Sequence, residues 1–350
     1  MATMRNHSKS SALCCILACF QFQSITAQVT ESQDYGIGFQ FTPAYGSVAV
    51  SYENGSNIAL GRVNGDKAWH DLMFKLCVDT RYMRYSESDT TLEADRLILV
   101  EMVHSLAELA AARLGQPVKA AAVSLPAHNR VHHYGEFAVA PILRNAFETA
   151  GLEYLPIITW DAAMGEPLIF AENAIVAGHG FGLCQPYTAG SECKNGTRAP
   201  YDVFYLIGYF QNELEITRTS RQWSAYQSWW YGYPSEQHLG RDSKHDNPDE
   251  EHYWDAVRQR LIKSFPPTGH LSYNMTKLIF YGDYAEDPRL RLEVAKVLQA
   301  FGQEPKLIDD GIDPVYAGAL GVAEFAKRKP YFDIQTWDVR GLVDQTKPDL

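Results

Sequence analysis

The sequence predicts an α/β protein, and three observations carry that expectation. Apolar, β-compatible runs alternate with segments of helical periodicity through both halves of the chain, which is the pattern of sheet and crossover helix. With 350 residues, 46% of them hydrophobic, the chain can bury one large core or two halves about a cleft, and it is too apolar for disorder. Gly and Pro punctuate the runs where strands and helices must end.

The first 27 residues read as a secretory signal. Arg5 and Lys9 precede an apolar run from Ala12 to Phe20, and Ser24-Ile25-Thr26-Ala27 supplies small residues before a cut after Ala27. The run is too short to span a bilayer, and no later segment is long and apolar enough to do so. Residues 36–52 follow as two strands about a turn at Pro43 and Gly46, and Asn54-Gly55 makes another turn. Leu99, Met102, Val103, Leu106, Leu109 and Ala110 recur at helical spacing over residues 93–114, with Gly115 and Pro117 as the stop. Val118–Leu125 reads as a strand, 134–150 as a helix closed by Gly151, Leu155–Thr159 as a short strand and 171–178 as a small-residue helix.

A Gly/Pro/Ser-rich loop, 178–200, opens the second half. Val203–Gly208 and Leu214–Thr219 read as a hairpin, and 223–233 is an aromatic cluster of Trp223, Tyr226, Trp229, Trp230, Tyr231 and Tyr233. Polar residues 240–252 lead into a helix carrying Trp254, Val257, Leu261 and Ile262; carboxylates at 246–251 suit its N-terminal dipole. Leu278–Tyr281 is a strand, Pro288–Phe301 a helix, Lys306–Ile308 a strand and Pro314–Lys327 the last helix.

A formal charge of −11, with no Lys/Arg-rich run, excludes a general nucleic-acid binder, because phosphate neutralisation needs a basic surface. Loss of the signal removes Cys14, Cys15 and Cys19 and leaves Cys77, Cys184 and Cys193. Cys184 and Cys193 flank the Gly/Pro/Ser loop, where a disulfide suits an oxidising compartment, and Cys77 is then odd. Asn54, Asn195 and Asn274 each begin an Asn-x-Ser/Thr acceptor sequon. His128, His132, His133 and Glu136 have metal-ligand spacing, although such histidines ordinarily sit at a solvated helix start, so no metal site is expected. The aromatic cluster suits an apolar or sugar pocket, or lobe packing. No Gly-x-Ser-x-Gly elbow, Walker loop or Gly-x-Gly-x-x-Gly fingerprint occurs.

The order of four stretches resembles the nucleotide-binding domain of the Hsp70/actin-like ATPase superfamily. Residues 99–127 are similar to that family's helix, turn, strand and Pro-Ala. Glu172–Gly178 resembles its first connecting helix, Leu278–Asp283 its adenosine strand and turn, and Asp313–Gly321 its second connecting helix. The resemblance implies an actin-like fold of two lobes about a central cleft, 28–177 and a reduced 178–330, with a tail at 331–350. It further implies a cleft base where Glu172 and His179 lie near Gly318, with Gly282 and Gly318 as remnants of the nucleotide site.

The chemistry departs from the family. Its two phosphate loops each carry an Asp that acts through magnesium, a hard ion that needs carboxylates. Here the first loop offers Gly38 or Gln40 at that place; the second offers Leu206, and Tyr209 and Phe210 stand where glycines would admit phosphate. No ATP, magnesium or other cofactor is therefore expected. The leading expectation is a secreted, non-hydrolysing Hsp70-like binding or accessory protein, its partner a small molecule or protein. One alternative is a repurposed cleft in a small-molecule biosynthetic pathway, with Glu172 and His179 as acid and base; another is a residual chaperone-like ATPase.

Overall fold

The computed structural model describes residues 35–78, 90–126, 139–157, 169–183, 185–189, 202–224, 227–246, 249–265 and 274–331. The first 27 residues, expected to be a signal, and Cys184, Cys193, Asn195, His128, His132, His133, Glu136 and Tyr226 lie outside them, as do the residues after Tyr331. The side chains of Cys77, Trp223, Trp229, Trp230, Tyr231 and Tyr233 do too.

The described residues form a mixed α/β structure of two sheets and eight α-helices. The first half runs β1 (Tyr35–Phe41), β2 (Tyr45–Tyr52), β3 (Asn57–Asn64), α1 (Lys67–Val78), α2 (Glu93–Leu114), β4 (Ala120–Leu125), α3 (Val139–Thr149), β5 (Glu153–Tyr154), β6 (Ile169–Phe170) and α4 (Ala171–Gly178). The second runs β7 (Asp202–Tyr209), β8 (Leu214–Ser224), β9 (Gln227–Glu236), α5 (Arg241–Asp246), α6 (Glu250–Lys263), β10 (Lys277–Tyr281), α7 (Pro288–Ala300), β11 (Lys306–Leu307) and α8 (Ala317–Arg328).

The two sheets repeat one topology. The first has the order β3-β2-β1-β4-β5, with β6 also paired to β4, and the second has β9-β8-β7-β10-β11. In each, the first three strands are an antiparallel meander and the later strands run parallel to the first. The first hairpin turn closes with Thr42 N–H to Tyr45 O at 2.9 Å, and its counterpart with Phe210 N–H to Glu213 O at 2.9 Å. A pattern that the sequence shows only as alternation is thus a structural duplication.

Period-2 patterning decides which face each strand turns where. In β1, Ile37, Phe39 and Phe41 enter a core shared with α1, α2 and α3, whereas Gly36, Gly38 and Gln40 face α8. In β7, Val203, Tyr205, Ile207 and Tyr209 pack on α6 and α7, while Phe204 and Leu206, with Phe210 just past the strand, pack on Ala171, Ile175 and Val176 of α4. The closing helix of each half therefore covers the other half's sheet. Both helices are almost wholly enclosed, which explains their apolar, small-residue sequences.

Helix ends follow local chemistry. Gly115 takes the left-handed conformation at the end of α2 (φ 71°) and bonds back to Ala111 O. Asp249 caps α6 by accepting from the Glu251 and His252 amides, the dipole role expected for that acidic run. Asp287 caps α7 in the same way ahead of Pro288 at its first turn.

Several expected boundaries move. The second helix is described from Val139, the expected 134–138 lying outside the described residues; the two-residue β5 at 153–154 precedes the strand expected at 155–159, of which 158 and 159 also lie outside them. Strand β3, helix α1 and strand β9 stand where no element was expected, and β9 runs through the aromatic cluster.

Candidate functional site

Helices α4 and α8 cross between the sheets, antiparallel and in backbone contact. A Cβ on Gly178 would meet Ala317 O at 1.9 Å, and one on Gly321 would meet Ala174 O at 1.8 Å. Above this crossing converge the C-terminal ends of β1, β4, β7 and β10, where crevices between parallel strands ordinarily receive ligands. Gln40 ends the α8-facing row of β1, beside Gly318, whose missing side chain leaves room for the Gln40 amide. Gln40 and its register partner Ser124 on β4 are both buried, and Gln40 Oε1 and Ser124 Oγ have no hydrogen-bond partner among the described residues.

The hairpin geometry resolves which residues stand beside the two turns. Gln40 does so in the first, and Gly208, one pleat beyond Leu206, in the second. The space a side chain at Gly208 would need is held by the Tyr281 ring, 2.5 Å from an ideal Cβ. Gly282 (φ 93°) lies against Tyr209 O at 2.6 Å and the Phe210 ring at 3.1 Å by the same measure. Phe210 packs edge-on to Tyr281, with centroids 5.7 Å apart, and lies 6.1 Å from Tyr45 of β2. Rings from both halves thus fill the space above the Gly282 turn.

Beside these rings lies a cluster of buried acids: Glu172 on α4, Glu213 in the β7–β8 turn and Glu215 on β8. The Tyr281 hydroxyl donates to Glu215 Oε2 at 2.7 Å, and Glu213 is hydrogen-bonded to Glu215. Burial pushes the Glu215 carboxyl up to about 7, and the Glu172 charge adds to this against the two hydrogen bonds. Burial likewise raises the Tyr281 and Tyr45 hydroxyls well above their ordinary value, with help from the Glu215 charge.

His179, just past α4, points elsewhere. Its Nδ1 lies 2.9 and 3.1 Å from the two carboxylate oxygens of Asp310, in the loop before α8. The imidazole is only 4% exposed, and Nε2 has no hydrogen-bond partner among the described residues. Glu172 and His179 are seven residues apart, about 10 Å along a helix. They belong to separate groups rather than one acid–base pair, and Gly318 faces Gln40. Asp310, Glu213, Glu215, Tyr45 and Tyr281 are the site residues that the sequence reading misses. The available signal is a Glu-Leu-Glu at the start of a strand whose Leu214 and Ile216 alternate with polar residues.

Asn54 and Asn274 are exposed, as a modified asparagine requires. Among the described residues no group of three His, Cys, Asp or Glu side chains is placed to hold a metal ion, and no helix is long and apolar enough to cross a membrane. No family model and no curated protein matches this chain.

Proposed function

We propose that the chain is a non-hydrolysing relative of the Hsp70/actin-like ATPases that acts as a binding or accessory protein in the secretory route. What supports the fold assignment is the repeated strand order, together with the exchange of closing helices between the two sheets. The observation that carries the loss of hydrolysis is the Phe210 ring and the Tyr209 carbonyl against Gly282, with Tyr281 filling the place beside Gly208. A phosphate chain there meets aromatic carbon instead of backbone amides, and the buried Glu172, Glu213 and Glu215 add like charge. The signal-like first 27 residues and the exposed Asn54 and Asn274 sequons support the secretory placement.

A thermal-shift titration with ATP and magnesium tests this reading. Ligand binding to the folded state must raise the melting temperature; no rise is expected. A rise accompanied by phosphate release overturns the reading.

A second reading, a repurposed catalytic cleft, is favoured by the His179–Asp310 pair. A carboxylate on Nδ1 holds the imidazole in the tautomer whose Nε2 can take a proton. The cleft ligand is then a small molecule rather than a nucleotide.

A further inference from the structure

The face of the second sheet turned away from α4 ends in a groove. Ile279 and Tyr281 of β10 take the α4 side, so the alternate residues Leu278 and Phe280 turn onto α7. The sheet stops one strand later, at the two-residue β11. Between that short edge and α7 lies a groove of about 350 Å³, lined by Leu278, Phe280, Leu298, Pro305 and Leu307. Small-molecule sites begin at this volume, and they share its composition of apolar walls with few polar groups. Leu307 is 41% exposed along the groove, although it is a large aliphatic side chain.

Two charged side chains line the groove, one toward each end. Arg291, Ala295, Leu298 and Gly302 succeed one another along α7 and its last turn, and Glu304 follows in the turn to β11. From Arg291 to Gly302 is about 16 Å at the helical rise per residue. The helix dipole is positive toward Arg291 and negative toward Glu304, in the same sense as the side chains. Arg291 is held in place without being neutralised. Its guanidinium lies 5.4 Å from the Phe280 ring centroid, and its Nε donates to Ala285 O at 3.3 Å. The nearby Arg258 and Arg289 both bond Glu293, whereas Arg291 meets no carboxylate among the described residues. Its two terminal nitrogens remain for a partner, in a fork that matches the two oxygens of a carboxylate.

We propose that this groove binds an amphipathic monocarboxylate, a medium-chain or aryl-alkyl acid. The carboxylate pairs with Arg291, and the hydrocarbon lies along Leu278, Leu298 and Leu307 toward the Glu304 end. A phosphate or other dianion is disfavoured, because the groove offers one cation and places an acid at its far end. The site lies on the opposite face of the sheet from the crevice, so it stands whatever the crevice binds.

Calorimetric titration of the full chain with octanoate tests the proposal, with octanamide as the neutral isostere. Octanoate should bind at one site with a dissociation constant below about 1 mM, and octanamide about tenfold or more weakly, as loss of a charge-assisted pair requires. Arg291 and Ala295 are both exposed, so substitution there leaves the core intact. Arg291→Gln should weaken octanoate by a similar factor and leave octanamide unchanged, while Ala295→Phe fills the groove and should abolish binding of both. No octanoate binding, octanamide binding as tight as octanoate, or wild-type octanoate affinity in either variant overturns the proposal. The comparison of the two ligands on the wild-type chain decides it even where a variant fails to fold.

Discussion

Gly321 of α8 sits against the carbonyl of Ala174 on α4 so tightly that a Cβ would fall 1.8 Å from that oxygen. The reciprocal contact is Gly178 against Ala317 O. These glycines are helical, with no left-handed backbone to require them; what requires them is the approach of two backbones. Gly321→Ala or Gly178→Ala must push the helices apart and, with them, the sheets they cover. Each should cost about 3 kcal/mol, the upper range for overpacking, whereas Gly115→Ala strains only an exposed helix end. Urea unfolding of the variants measures the difference.

Phe210 packs against Gly282, Tyr45 and Tyr281 and is fully buried. Phe210→Ala should cost about 3–5 kcal/mol, as large aromatic truncations do, and should leave a space at the Gly282 turn. Opening that space supplies neither amides at the second turn nor an acid at Gln40 or Gly208. ATP with magnesium should therefore leave the melting temperature of this variant unchanged, as in the wild type.

Two buried carboxyls should drive stability in opposite directions with pH. Glu293 on α7 is fully buried, and burial alone would raise its proton affinity. Arg258 at 2.7 Å, Lys296 at 2.9 Å and Arg289 at 3.0 Å outweigh that and bring it down to about 2. Its contribution is complete above its ordinary 4.5 and is lost as pH falls toward 2. Glu293→Gln should be less stable at neutral pH by about 2 kcal/mol, discounted for the partly exposed cations, and equal to wild type near pH 2. Glu215 has the reverse shift. The folded chain holds its extra proton, so stability falls as pH rises from about 4.5 to about 7. Glu215→Gln should therefore gain on the wild type over that window. Chemical denaturation at a series of pH values checks both slopes.

Elements whose local pattern agrees with their burial are legible in the sequence. Helix α4 reads correctly at 171–178 because small apolar residues leave it no exposed face, and α2 reads correctly because its stripe ends at a glycine that takes the left-handed cap. Helix α1 carries the same kind of stripe, Trp69, Leu72, Met73 and Leu76, all of them in the core. The acid cluster is hidden for a physical reason. Leu214 and Ile216 alternate with Glu215, Thr217 and Thr219, which reads as one buried and one wet face. Helix α4 belongs to the other half of the chain, and its arrival on this sheet buries the polar row, an exchange that no local pattern encodes. Asp310 was illegible for the same reason, lying 131 residues from His179.

The separation of Glu172 from His179 decides between an accessory and a catalytic cleft. Were they one acid–base unit, Glu172→Gln and His179→Gln would abolish the same step. Glu172 acts by its charge on Glu215, whereas His179 is hydrogen-bonded to Asp310, so the substitutions should act differently. A catalytic His179 requires Asp310 to fix its tautomer. Asp310→Asn and His179→Gln should then both lower product formation, His179→Gln by about 10²–10⁴, the usual worth of one general base, with Glu172→Gln much closer to wild type. An accessory cleft gives the other outcome: the His179 and Asp310 variants lose one half-exposed hydrogen bond worth about 0.5–1.5 kcal/mol and keep partner capture once abundance is matched. The readouts are the pathway product and partner pull-down in cells carrying each substitution. Parallel loss of product in the His179 and Asp310 variants, with capture intact, selects the enzymatic reading; unchanged product in both selects the accessory one.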